Sequence, residues 1–219
     1  MKLIALPDLH GRTSMLTQLG SVMAQADWIL LPGDVTNGSL QEAHQVLGII
    51  RQHNPNILAI PGNMDNQQID DYFTRENLNV HGDNRVIDGV AFLGVGGALP
   101  FYGRFVFEEP ELADLLKQAV TELDPQLPQV LLCHQPPLNT VNDIIRSGKH
   151  AGSQSVREFI EHYQPILCFT GHIHVGTGID RIGQTHIINP GPLWESGHYA
   201  WAEIENGAVQ EIGIRSIPV

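Results

Sequence analysis

"ILCFTGHIH", Ile166 to His174, joins a short apolar run to a glycine and two histidines separated by a single residue. The run Ile166–Phe169 is too short for a helix and has no polar alternation, so it reads as a strand buried on both faces. Gly171 lets the backbone turn tightly where the strand ends. Imidazoles held at the end of a buried strand need a partner to offset their desolvation.

The same unit recurs on either side. Lys2–Leu6, Trp28–Leu31, Ile57–Ile60 and Gln129–Cys133 are apolar runs of similar length. Segments of helical period separate them: Thr13–Gln25, with Thr13 or Ser14 as cap, then Leu40–Gln52, Gln67–Arg75, Glu111–Glu122 and Ser155–Tyr163. Strand and helix in alternation predict a parallel sheet. Val86–Gly94, Gly178–Ile182, Thr185–Ile188, Tyr199–Glu205 and Ala208–Ile214 read as β-ribbon pieces, the last two joined by an Asn206-Gly207 hairpin turn. The fold class is therefore α/β, with two packed mixed sheets and helices outside.

Composition narrows the function classes. At 219 residues and 42% hydrophobic, the chain has the length of one domain with a substantial core. A net charge of -12 disfavours nucleic acid as a partner, because affinity for phosphate chains comes from Lys and Arg. Met1–Leu6 lacks the pattern of a signal peptide, and no apolar run is long enough to span a bilayer. The expectation is a cytoplasmic protein with no membrane partner, its Cys133 and Cys168 packed as thiols within strands. Histidine is abundant, at 11 against 12 Lys plus Arg, which directs attention to metal sites.

Open α/β sheets bind ligands at the carboxyl ends of their strands. Asp8 and His10 follow the first strand, Asp34 the second, Asn63 the third; His134 follows Gln129–Cys133, and His172 and His174 follow Ile166–Phe169. Read as extended segments, Asp8-Leu9-His10 and His172-Ile173-His174 put both ligands on one side and the apolar residue on the other. Carboxylate, imidazole and amide oxygen together suit Mn, Fe or Zn rather than Ca or Mg. Seven donors exceed the needs of one ion, and two ions roughly 3.5–4 Å apart clamp the oxygens of an in-line phosphoryl displacement.

This set, D-x-H, G-D, G-N-M-D, H and G-H-x-H, resembles the motifs of the calcineurin-like metallophosphoesterases, in order from Asp8 to His174 and on through "HIINPGPLWESGHYAWAEI". The resemblance implies a four-layer α/β/β/α sandwich forming a single domain over residues 1–219. It implies Asp8, His10 and His174 on one divalent metal, Asn63, His134 and His172 on the other, and Asp34 bridging both. The metals would be Mn first, with Fe, Zn or Ni as alternatives, and a metal-bridging hydroxide would attack a small phosphodiester or phosphomonoester. Two positions depart from the family pattern: Met64 stands where phosphatases of the family carry a proton-donating histidine, and Asn37 where some carry a second aspartate. Such losses resemble the compact phosphodiesterase-like branch. They also resemble the retromer scaffold subunit, which keeps the fold as a non-catalytic protein-interaction module, and this is the alternative function.

Other residues carry weaker expectations. His150, in a Gly/Ser-rich loop before a helix, is a candidate catalytic proton donor beside Asp34 and Asn63. His198 is a lesser candidate, and His44, His53, His81, His162 and His186 read as solvated or packed. Leu99–Phe105 reads as an aromatic wall of a pocket or as packing. Arg12 is expected to pair with a carboxylate more readily than with phosphate, and Asp65 to orient a ligating histidine or fix its loop. Glu108, Glu109 and Glu111 read as the acidic start of a helix. Substrate identity and oligomeric state are not encoded in any of these signals.

Overall fold

Short apolar strands and amphipathic helices alternate through residues 1–217, the part of the chain that the computed structural model describes. The strands are β1 (Lys2–Ala5), β2 (Trp28–Pro32), β3 (Ile57–Ile60), β4 (Asp83–Ile87), β5 (Val90–Val95), β6 (Gln129–Cys133), β7 (Leu167–Phe169), β8 (Gly178–Ile182), β9 (Thr185–Asn189), β10 (His198–Glu205) and β11 (Ala208–Ser216). The α-helices are α1 (Gly20–Met23), α2 (Leu40–Arg51), α3 (Gln67–Arg75), α4 (Glu109–Ala119), α5 (Gln154–Tyr163) and α6 (Leu193–Ser196).

Two mixed sheets form, ordered β11-β10-β1-β2-β3 and β4-β5-β6-β7-β9-β8. In each, the central strands run parallel and antiparallel ribbons close an edge. Strand alternation then builds three apolar layers. Leu3, Leu30 and Leu58 meet Phe92, Val130, Leu132 and Phe169 between the sheets. The alternate residues Ile4, Ile29 and Leu31 pack outward with Leu19, Met23, Val46, Leu47 and Phe73. On the far side Leu93, Leu131 and Cys133 lie with Leu112, Leu116, Phe159 and Ile160. The result is the four-layer α/β/β/α sandwich, with helices covering both outer faces.

Most expected elements occur within a few residues of their predicted bounds. The exceptions have local causes. Thr13–Gln25 is not one capped helix but a 3-10 turn, Leu16–Leu19, running into the short α1. Gly20 at the junction lies so close to His53 that a Cβ there would come 2.7 Å from the ring. The expected single piece Val86–Gly94 is a hairpin, β4 and β5, because Asp88 and Gly89 both take positive φ between them. Asn206 and Gly207 also have positive φ, 50° and 75°, as a type I′ turn requires. Helix α4 begins with the capping box of Glu108 and Glu111, and Glu109 reaches across to the start of α5.

Candidate metal centre

The loops that follow β1, β2, β3, β6 and β7 come together at one end of the sandwich, and backbone hydrogen bonds stitch them to each other. Asp8 and His10 donate their N–H groups to the carbonyls of Gly33 and Asp34, and Gly171 donates to that of His134. Close approach demands glycine at two points. A Cβ on Gly33 would lie 2.2 Å from His134 Nδ1, and one on Gly62 would lie 2.1 Å from Asp34 Oδ1.

All seven expected donors gather here. His10 Nε2 lies 3.3 Å from His174 Nε2, and His174 Nε2 lies 3.6 Å from Asp8 Oδ1. Asp34 Oδ2 stands 3.8 Å from His10 Nε2 and 3.5 Å from His134 Nε2, between the two halves of the cluster. Asn63 Oδ1 approaches both His134 Nε2 at 3.0 Å and His172 Nδ1 at 2.8 Å. Donor atoms close enough to share a cation form two groups, Asp8-His10-His174 and Asp8-Asp34-His134. Asp8 thus adjoins both groups, a position that sequence reasoning assigned to Asp34 alone.

The backbone corrects a second expectation. Asp8, His10, Asp34 and His172 all have positive φ, between 49° and 66°, so the D-x-H and H-x-H segments are not extended strands. Leu9 still points into the core, fully buried. For non-glycine residues this region is strained, and four such residues in one cluster mark a site that the surrounding fold over-determines.

Burial and charge set the protonation of the cluster. Burial works against a charged ring at His134, but the carboxylates of Asp34 and Asp8 and the Pro32 carbonyl outweigh it and raise its pKa to about 9. Its Nδ1 lies 2.9 Å from the Pro32 carbonyl, which leaves Nε2 facing Asn63 Oδ1 at 3.0 Å and Asp34 Oδ2 at 3.5 Å. His172 is driven down to about 4 by burial and by the neighbouring His134. His174 is raised by its hydrogen bond to Asp8, against the cost of burial. For Asp34, burial pushes the pKa up but His134 and His10 pull it below the usual carboxylate value. Asp65 is raised to about 7 by burial and by the charge of Asp34, with hydrogen bonds from Thr36 and Gly62 opposing.

Around these donors, other residues fix their orientation. Asn37 is not merely a lost ligand: its Oδ1 lies 3.2 Å from His10 Nδ1, and its amide nitrogen donates to the His10 carbonyl at 2.9 Å. Asp65 fixes its loop rather than a histidine, accepting from Gly62, Val35 and Thr36. Met64 gives its backbone N–H to Asp34 Oδ1 at 2.7 Å. The aromatic loop holds Asn63, whose amide nitrogen donates to Tyr102 and whose carbonyl accepts from Arg104 and Phe105. Trp194, which sequence reasoning missed, donates its indole N–H to the Asp8 carbonyl at 3.0 Å and sets its ring edge-on to His10 and His174. Its signal was present in the Pro-Gly-Pro-Leu-Trp turn that follows β9 at the same edge of the sheet. Arg12 stacks on that indole at 4.1 Å, instead of pairing with a carboxylate.

His150 belongs to neither donor group. Its Nδ1 is 2.6 Å from the fully buried Asp143, and its side chain is 42% exposed. His198 is held at the start of β10, with its Nδ1 buried and unpaired. His81 is packed, its ring accepting from Gly96 and lying against Phe105 and Phe107, and burial lowers its pKa.

A buried pair of carboxylates facing imidazoles, with an amide oxygen within 3.0 Å of two rings, is donor chemistry suited to a cation. Comparison with known sequences gives it a family: the calcineurin-like phosphoesterase profile matches residues 1–176. The chain belongs to the calcineurin-like phosphoesterase family. It is 32% identical over 199 residues to an uncharacterized protein of Methanocaldococcus jannaschii, covering 88% of each. Among solved structures, a Thermus thermophilus protein superposes with a TM-score of 0.75 at 20% identity over 99% of both chains. A novel archaeal phosphodiesterase does so with a TM-score of 0.55 at 16% identity over 98% of this chain and 100% of its own. These structures share the fold. The family is one of phosphoesterases that generally use divalent metal ions, and this chain brings together residues that could hold one. No helix among the described residues is long and apolar enough to cross a membrane.

Proposed function

We propose that the chain is a two-metal phosphoesterase acting on a small phosphodiester or phosphomonoester. The observation that carries this reading is the pair of donor groups joined through Asp8, with Asp34 between His10 and His134. Divalent ions bound there, Mn first among Mn, Fe, Zn and Ni, supply Lewis acidity that ionises water near neutral pH and offsets charge on the phosphoryl oxygens.

The chain's own residues do the rest. Asp8, His10 and His174 hold one ion, and Asn63, His134 and His172 the other, while Asp34 ties the two halves. His134 fits such a role because the Pro32 carbonyl engages its Nδ1 and leaves Nε2 aimed at Asp34 and Asn63. Asn63 keeps its amide oxygen aimed into the site because Tyr102 claims the nitrogen. Met64 has a thioether and donates no proton, so a proton for the leaving group has to come from another residue. His150 is the proposed proton donor, with Asp143 fixing its Nδ1 and leaving Nε2 free. Buried free cysteine thiols accord with a cytoplasmic protein, and the net charge of -12 with a small substrate rather than a nucleic acid.

The test is hydrolysis of bis-p-nitrophenyl phosphate and p-nitrophenyl phosphate by purified protein with added Mn. Metal-dependent release of nitrophenol, faster from the diester, is expected. Failure on both substrates with Mn, Fe, Zn and Ni, together with capture of a specific protein partner, would favour the scaffold alternative.

A further inference from the structure

Beside the metal-type cluster lies a cavity of about 340 Å³, lined by Leu99, Ile145 and Ile173, with Phe101 and Ala151 at its mouth. His172 forms one edge of it, which sets the cavity next to the donor cluster. Its floor is Gln135, which is 1% exposed. The Gln135 amide oxygen accepts from Leu99 N–H at 3.0 Å and its nitrogen donates to the Ala151 carbonyl at 2.9 Å, so both ends are consumed in joining the two walls.

Several backbone groups of the lining are also committed. Ile145 N–H goes to the Lys149 carbonyl, Ala151 N–H to the Asp143 carbonyl and Ile173 N–H to the Gly171 carbonyl. Gly152 N–H goes to the Asp143 carboxylate, and the Ile173 carbonyl accepts from Asn189. A ligand group entering here meets hydrocarbon and finds these donors already taken. At the rim the Phe101 ring is 99% exposed, with no protein surface covering it.

We infer that this cavity selects the substrate: it receives an apolar, ring-sized ester group of the phosphoester whose phosphoryl group lies at the donor cluster, and it discriminates against nucleobases. The inference rests on the phosphoesterase reading and adds the substrate class. An apolar cavity of roughly 150 Å³ already takes a benzene ring, so the available space is sufficient. A nucleobase of similar size would lose its water without gaining hydrogen bonds, and unpaired polar edges weaken binding. Bound, the ring would also cover Phe101, which has no such cover otherwise.

Two measurements test this. In metal-free protein, benzyl alcohol should shift the methyl resonances of Leu99, Ile145 and Ile173 and few others. Shifts elsewhere, or none, overturn the cavity. In Mn-loaded protein, calorimetry should show phenylphosphonate binding at least about tenfold tighter than methylphosphonate or thymidine monophosphate. Ala151→Phe, at the exposed mouth, should remove that advantage while leaving methylphosphonate binding unchanged. Ile145→Ala should reduce it and serves if the first variant is unstable. Equal affinity for the three probes overturns the inference. Should both measurements succeed while no ester is hydrolysed with any metal, the phosphoesterase reading fails and the apolar subsite stands.

Discussion

Asp65 and Thr36 are joined twice: one carboxylate oxygen of Asp65 accepts the Thr36 N–H at 2.9 Å and the Thr36 hydroxyl at 2.6 Å. Its other oxygen accepts from Val35 at 3.1 Å and Gly62 at 2.9 Å, so one buried side chain ties the loop after β2 to the loop after β3. Asp34 and Asn63 stand on those loops. Asp65→Ala leaves buried donors without partners, at about 1–3 kcal/mol for each that finds no water. Urea unfolding should show a loss of at least about 3 kcal/mol, accompanied by weaker metal uptake. A variant as stable as the parent would mean that the loops are held by other contacts.

Met64→His restores an imidazole where the chain has a thioether. Alkyl phosphodiesters, whose leaving groups need a proton, should gain at least about tenfold over aryl diesters, within the about 10²–10⁴-fold range of general acid catalysis. An unchanged alkyl-to-aryl ratio would show that position 64 does not face the leaving group.

Asn37→Ala removes the partner of His10 Nδ1 and the donor to the His10 carbonyl. Residues that orient a ligating imidazole typically contribute about 10–100-fold in metal affinity. The expected result is a drop of that size in Mn affinity by calorimetry, with little change in melting temperature. Undiminished affinity would reduce Asn37 to a surface turn residue.

Glu109 joins α4 to α5 by accepting from Ser153 Oγ at 2.6 Å and from the N–H groups of Gln154 at 2.8 Å and Ser155 at 2.9 Å. Burial raises its pKa, but these hydrogen bonds outweigh that and hold it below the usual glutamate value. Because the folded value is depressed, the stabilisation is present above the unfolded pKa and is lost as pH falls through the folded one. Glu109→Gln should lower stability at pH 7 by at most about 1 kcal/mol, because solvent screens this partly exposed carboxylate. The difference from the parent should shrink toward zero in acid. A pH-independent difference would show that the contact is not carboxylate-specific.

The strands and the five loops were legible because buried parallel strands are apolar throughout and each ends on a glycine or a ligand-type residue. The conformation of those loops was not. A period-two pattern makes Asp8-Leu9-His10 extended, whereas hydrogen bonds from Asp8 and His10 to the neighbouring loop's carbonyls, those of Gly33 and Asp34, hold the backbone at positive φ. Tertiary contacts of this kind leave no trace in a local pattern. The contacts that Asn37 and Trp194 make were hidden for the same reason, since each acts on a donor distant in sequence, 27 residues away for Asn37 and 186 for Trp194. Glu109 was read as favouring its own helix, but its strongest partners begin the next one.

The central claim is that the seven converging donors hold two divalent ions. Elemental analysis of protein saturated with Mn and freed of excess ion tests it most directly, alongside a His10→Ala/His134→Ala double variant that removes one donor from each half. The account predicts about two Mn per chain in the parent and almost none in the variant. No uptake by the parent, or uptake that the double variant leaves unchanged, would contradict it.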